Sequence, residues 1–349
     1  MKRQNEMQLV LQNEKRSKLD LMVAGDDDRK NGQLISAKTR FSKLESPIML
    51  LTGHESEVYC CKFHPNGETL LSAGFDRKIF LWNTYGECQN YSVLSSGHKG
   101  AILDVHYSGK GDYIYSSSTD KTLIVWDTQT GQRIRKLIGH QNIVNSCCPW
   151  RDQSKSMLLS VSDDRTIKIW DTRKKSSANT IKEEYQLTAC IFNDFCEQII
   201  VGGIDNVLKV YDMRKNKLIY TLPGHFDTIT GLSLSPNGNF ALSNSMDNSL
   251  CVWDIRPYVQ SDRCIKTLTG HQHNFEKNLL RCSWSPDGER VTAGSADRNV
   301  YIWNVYDKHI LYRLPGHNGS VNEVVFHPKE PIVLSCSSDR QLFLGEINL

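Results

Sequence analysis

The chain has 349 residues, 39% hydrophobic and 23% charged, a balance found in folded water-soluble proteins. No window approaches 18 consecutive apolar residues, and the start, Met1-Lys2-Arg3-Gln4-Asn5, has no apolar run before a cleavage site, so neither a membrane helix nor a secretory signal is expected. The formal charge of +3 comes from the first 46 residues, which hold ten Lys or Arg and seven Asp or Glu and leave 32 of each sign for the rest; a neutral body argues against nucleic-acid binding driven by bulk charge.

Residues 1–46 mix Lys15-Arg16-Ser17-Lys18 with Asp26-Asp27-Asp28 and have no aromatic before Phe41, which predicts a mostly disordered arm. Within it, Met7, Leu9, Val10 and Leu11 could nucleate a short helix on a partner, and Lys15 to Lys18 is a weak nuclear-import signal. Next, "PIMLL" (Pro47 to Leu51) reads as a short strand. Two marks then recur in order. Gly-His stands at Gly53-His54, Gly97-His98, Gly139-His140, Gly224-His225, Gly270-His271 and Gly316-His317. Trp followed by Asp or Asn stands at Trp82, Trp126, Trp170, Trp253 and Trp303, each with an Asp six residues earlier: Asp76, Asp120, Asp164, Asp247 and Asp297. The last two Gly-His pairs lie 46 residues apart, and Trp82 and Trp126 lie 44 apart. A fourth unit is degenerate, with Asp205 before Tyr211-Asp212 and Glu183 where the His belongs; a seventh has His317 and Asp339 but Gly345-Glu346 for Trp-Asp. Between the marks run short β-branched and aromatic stretches such as "EVYCCKF" and "KIFLW", separated by turns such as His64-Pro65-Asn66-Gly67 and Ser285-Pro286-Asp287-Gly288, with no sustained helical period.

Eleven cysteines, an odd count without Cys-x-x-Cys, predict reduced thiols that act as small hydrophobes, with no metal or cofactor. Cys60-Cys61 and Cys147-Cys148 are neighbours on strand-like runs and point to opposite faces, so neither pair is a chelate. Without a secretory signal, such thiols predict a reducing compartment.

Over about seven-eighths of its length the chain resembles the WD-repeat family. The resemblance implies an all-β, seven-bladed WD-repeat β-propeller over 47–349 behind a disordered arm over 1–46. In that family Gly-His precedes the first strand of a blade and Trp-Asp ends the third, and "PIMLL" would close the ring beside "QLFLG" (Gln341 to Gly345). Such closure leaves no free sheet edge.

The recurring His, Ser and Asp could suggest a hydrolase, but a nucleophile is needed once and this set appears four times. No Gly-x-Ser-x-Gly, phosphate loop or His-Glu-x-x-His occurs, so no enzyme is expected. The resemblance implies structural tetrads: His54, Ser72, Asp76 and Trp82; His98, Ser116, Asp120 and Trp126; His140, Ser160, Asp164 and Trp170; His225, Ser243, Asp247 and Trp253. The sixth unit has Ala293 for the Ser, and the fourth has Val201 for Ser and Tyr for Trp, so the fourth blade should be less firmly pinned.

A closed propeller acts through its faces. The family's Gly-His face maps onto Tyr59, Phe75, Leu103, Ile204, Met246 and Leu280 as partner-binding candidates. On the other face, loops holding Arg173-Lys174-Lys175, Arg214-Lys215-Asn216-Lys217 and Ile255-Arg256 through Arg263 should form a basic patch. The sixth unit carries an insert, His273 to Asn278, adding His273, Phe275 and Lys277 as candidates. That insert within "GHQHNFEKNLLRCSWSPDG", together with "GHESEVYCCKFHPNG", "GGIDN" and "DRQLFLGEINL", resembles the WD-repeat subunits of the spliceosomal U5 small nuclear ribonucleoprotein. This resemblance implies a nuclear scaffold for pre-mRNA splicing, a monomer within a larger complex. The implied partners are the very large U5 scaffold protein and its associated helicase and GTPase, with RNA association indirect and no membrane. The alternative is a substrate-receptor or adaptor subunit of another complex such as a ubiquitin ligase, although no F-box-like helical domain precedes the repeats.

Overall fold

A computed structural model describes residues 42–151, 156–193, 197–259, 262–274 and 276–347. The arm residues Met7, Leu9, Val10, Leu11 and Lys15 to Lys18 lie outside the described residues, as does Phe275. Among the described residues, 28 strands form seven four-stranded antiparallel sheets. Blade one spans 58–94, and blades two to six span 102–138, 144–182, 187–222, 229–269 and 282–314. Blade seven takes three strands from 321–346 and its outermost strand, Ile48–Thr52, from before blade one.

The strands read as apolar runs because both faces of each inner strand are buried. Side chains alternate across a strand, so Cys60 packs with Ile102 and Val105 of blade two while Cys61 packs with Val325 and Cys336 of blade seven. The same division holds at every junction. Seven apolar clusters lie between the seven pairs of adjacent blades, each made from the facing sides of two sheets. The core is therefore a ring of interfaces, and each blade depends on both neighbours.

Closure is antiparallel and in register from Ile48 against Gly345 to Thr52 against Gln341. The Glu346 amide donates to the Pro47 carbonyl at 2.8 Å. Packing reaches behind this strand: Leu44 is buried with Leu51 in the cluster joining blades seven and one, and the Lys43 amide donates to Glu330 at 3.1 Å. Removal of 1–41 is accordingly expected to leave the thermal midpoint unchanged. Removal through Thr52 deletes the closing strand and two buried leucines, each contributing roughly 1.5–3 kcal/mol, and opens an edge. Thermal denaturation of both truncations checks this, and equal midpoints would refute the closure.

A second sevenfold feature lies in the turn between the second and third strands of each blade. In six blades an Asp carboxylate accepts the backbone amide two residues on, as Asp76 does from Lys78 at 3.2 Å and Asp247 from Ser249 at 2.9 Å. The intervening residue takes the left-handed conformation: Arg77, Lys121, Arg165, Asn206, Asn248, Arg298 and Arg340, all at φ between 63° and 70°.

Candidate functional site

In blades one, two, three and five the His, Ser, Asp and Trp side chains meet as a chain of hydrogen bonds. His54 Nδ1 lies 2.7 Å from Asp76 and its Nε2 2.7 Å from Ser72 Oγ, which accepts from Trp82 Nε1 at 2.9 Å. His98, Ser116, Asp120 and Trp126 repeat this at 2.8–3.1 Å. His140, Ser160, Asp164 and Trp170 do so at 2.7–2.8 Å, and His225, Ser243, Asp247 and Trp253 at 2.6–3.0 Å. Ser72, Ser116, Ser160 and Ser243 are fully buried, and each hydroxyl is engaged by both the Trp and the His, so none faces a place where a substrate carbonyl could sit. The groups satisfy one another and tie the turn to the sheet. Blade seven keeps His317, 3.0 Å from Asp339 and 2.8 Å from Ser335, with Phe343 edge-on to the imidazole. Burial alone would raise the Asp339 carboxyl, but hydrogen bonds from His317 and from the Asn318 and Gln341 amides hold it down at about 2.

The fourth blade is not left unpinned. Tyr211 donates its hydroxyl to Glu183, whose other oxygen lies 2.7 Å from Lys209, and Lys209 also reaches Asp205 at 2.7 Å. Loss of His and Ser is offset by an ionic network that ties Glu183 in the loop before the blade and Asp205 in its turn to Lys209 and Tyr211 on the third strand. In blade six, His271 turns to the neighbouring blade and meets Asn244 Oδ1 at 2.8 Å, while Asp297 accepts from Tyr301 at 2.6 Å and Trp303 donates to the Thr269 carbonyl at 3.1 Å.

On the Gly-His face, Phe75 and Ile204 are exposed, and Tyr59, Leu103 and Met246 are half-buried. Tyr59, Leu103 and Lys277 share a pocket of about 200 Å³ with Asn278, Leu279 and Asn322. Leu280 is not part of this surface: it is 1% exposed, and its carbonyl accepts from Thr230 at 2.8 Å and Asn244 at 3.0 Å of blade five. Leu279, which the sequence reading passed over, is half-buried and lines that pocket instead. His273 is partly buried and Lys277 is exposed beside it in the insert. The opposite face exposes Lys174, Lys175, Lys215 and Lys217, while Arg173, Arg214 and Arg256 pair with Asp171, Glu197 and Asp254.

Between the faces, the channel is bridged by a buried arginine that the repeat marks do not signal. Arg281 of blade six crosses to Asp104 of blade two at 3.2 Å and donates to the Leu103 and Asn145 carbonyls at 3.3 and 2.9 Å. Burial would raise the Asp104 carboxyl, but Arg281 and His106 hold it far below the usual range. Lys62 pairs with Glu323, which also accepts the Cys61 amide at 2.8 Å. Below this layer lies a cavity of about 450 Å³ lined by the innermost strands of all seven blades.

The model of the WD domain, G-beta repeat, matches residues 45–83, 89–127, 131–171, 216–254, 262–304 and 308–344. The chain belongs to the WD-repeat family. The unmatched interval, 172–215, holds the first three strands of blade four, where Glu183 and Tyr211 replace the marks. Among curated relatives, this WD-repeat protein is 56% identical to the U5 small nuclear ribonucleoprotein 40 kDa protein of Homo sapiens, covering 93% of the chain and 90% of that protein. It is 49% identical to the protein of the same name from Dictyostelium discoideum, over 95% and 93%. Identity to the pre-mRNA-splicing factor cwf17 of Schizosaccharomyces pombe is 44%, over 90% and 91%.

The departure in blade six is expected to give this WD-repeat protein a pH-dependent stability. Burial pushes the His271 imidazole down to about 3, aided by the neighbouring His273, and burial pushes His273 down to about 4. Both folded values lie below the ordinary value near ~6.5, so the unfolded chain binds the extra protons first. Stability contributed by the neutral rings is complete above pH ~6.5 and is lost as pH falls from there toward about 4 for His273 and about 3 for His271. Replacing His271 with Gln, which keeps a donor for Asn244, should flatten the fall in thermal midpoint across that window; an unaltered slope would show that His271 does not cause it.

Proposed function

We propose that this protein is a non-enzymatic assembly platform of the U5 small nuclear ribonucleoprotein that works in pre-mRNA splicing in the nucleus. The observation that carries the reading is the 56% identity to the human U5 40 kDa protein across nearly the whole of both chains. The physical argument agrees: recurrent polar side chains are consumed in buried networks, which leaves the faces to do the work. On this reading the propeller enters the complex as one copy and needs no cofactor; residues 43–46, which the sequence reading assigned to the arm, pack on it through Leu44 and Lys43, and the chain before them is the separate arm. Its partners are the large U5 scaffold protein and the associated helicase and GTPase, with RNA held through them. Tyr59, Phe75, Leu103, Ile204, Met246 and Lys277 on the Gly-His face are the contact residues.

Purification of the tagged full chain from nuclear extract, with identification of bound RNA and protein, tests this. U5 RNA and the scaffold protein are the expected companions. Recovery of ubiquitin-ligase subunits without U5 RNA would overturn the reading. Changing Tyr59 and Phe75 together to Ser should weaken recovery of the scaffold, whereas charge reversal at Lys174, Lys175 and Lys215 should not. The converse pattern would move the interface to the opposite face.

A further inference from the structure

The Gly-His face divides into two sectors. In blades six, seven, one, two and three the left-handed turn residue is a cation: Arg298, Arg340, Arg77, Lys121 and Arg165, all exposed. In blades four and five it is Asn206 and Asn248. The largest apolar exposure on this face lies where the cations stop, and Phe75, 58% exposed beside Arg77 in blade one, is a separate exposed aromatic. Phe226 is 90% exposed, Tyr185 49% and Ile204 43%. The loops are joined, since Asn206 donates to the Phe226 carbonyl at 3.1 Å and the Ile204 amide to the Gln186 carbonyl at 3.2 Å. Acidic charges stand beside them: Glu184 and Asp227 are exposed, and Lys209 is already held by Glu183 and Asp205, while the exposed Lys182 ends the outermost strand of blade three.

We propose that the blade four–five sector is the docking site for a protein segment in which an apolar side chain neighbours Arg or Lys. The apolar group packs on Phe226 and Ile204, and the cation is placed between Glu184 and Asp227. The cationic arc over the other five blades repels the same segment, so orientation comes from repulsion as well as attraction. Phe226 is the anchor: a large aromatic left in water on a face otherwise built of polar turns is the kind of group whose removal dominates an interface. An acidic segment would be drawn to the arc instead and repelled here. This inference rests on the platform reading and names the partner chemistry of one part of that face.

The test uses the full chain and three short fluorescein-labelled peptides: Leu alternating with Arg, Leu alternating with Glu, and Ser alternating with Arg. Fluorescence anisotropy should show saturable binding of the Leu–Arg peptide, with the other two weaker by about tenfold or more. Phe226→Ser should weaken it by about tenfold. So should Asn206→Arg with Asn248→Arg, which installs the residue type that five other turns already accommodate and therefore keeps the fold. Arg77→Glu with Arg340→Glu should not weaken it, since it relieves repulsion and leaves the docking sector intact. Absence of saturable binding, equal binding of the Leu–Glu peptide, or indifference to both the Phe226 and the Asn changes overturns the proposal. Association with U5 RNA is read separately: if it persists while the peptide does not bind, this site fails and the platform reading stands; if the peptide binds and U5 RNA is absent, the reverse holds.

Discussion

Trp126→Ala is expected to lower stability by roughly 3–5 kcal/mol, the cost of deleting a large aromatic from a close-packed site. Trp126 is 1% exposed and packs in the cluster between blades one and two with Leu71, Leu81 and Ile102. Its indole donates to Ser116 at 2.9 Å, so truncation also removes a donor from a buried hydroxyl. A Cβ on Gly97 would lie 2.3 Å from the same ring, so the Gly of the Gly-His mark is required by this Trp. Because each interface belongs to two blades, the loss should appear as a shift of one cooperative transition rather than as local fraying. Denaturant unfolding followed by circular dichroism measures it. Trp126→Phe, which keeps most of the packing, should cost less, and equal costs would place the effect in the hydrogen bond.

Arg281→Ala should be comparably damaging, by about 3–5 kcal/mol, because it leaves Asp104 as a buried charge with His106 as its remaining ionic partner. Asp104 is fully buried and Arg281 is 7% exposed, so neither can turn to water. Asp104→Ala strands the guanidinium in the same way, leaving it Ser146, the carbonyls of Leu103 and Asn145 and the more distant charge of Glu323. The two losses should not add. Arg281→Met with Asp104→Leu removes both charges and should recover most of the stability, since replacing a buried pair by apolar groups is often neutral or better. If the double variant is as unstable as the sum of the singles, the pair is not the coupling that spans the channel.

The tetrads were legible because their members stand at fixed offsets within one unit: His54 to Asp76 and His98 to Asp120 are each 22 residues apart, and Ser72 to Trp82 and Ser116 to Trp126 each 10. The closing strand was legible because the WD-repeat resemblance implies that the chain's start completes the last blade, and the apolar run Pro47 to Leu51 stands there. The same local reasoning misplaced Leu280, because the chain that enters the strand from the insert buries Leu280 against blade five and leaves Leu279 lining the face pocket. It also passed over Phe226 and Leu44, since the loop after a Gly-His pair and the chain before the first strand follow no alternation.

Arg281 and Asp104 show where local reading ends. They are 177 positions apart in the sequence, and on the page each is a charged residue in a strand-like run. Ring closure sets blade six across the channel from blades two and three, and only then does each charge acquire its partner. The two sectors of the Gly-His face arise the same way, from turn residues of seven separate units brought onto one surface. The sequence by itself determined the number of blades, because the marks recur at short, regular spacings, and through the family resemblance it implied their internal networks and the closing strand, whose Ile48 pairs with the distant Gly345. The tertiary structure alone decided which charges meet in the channel and which apolar groups stay in water, because both depend on neighbours supplied by other blades.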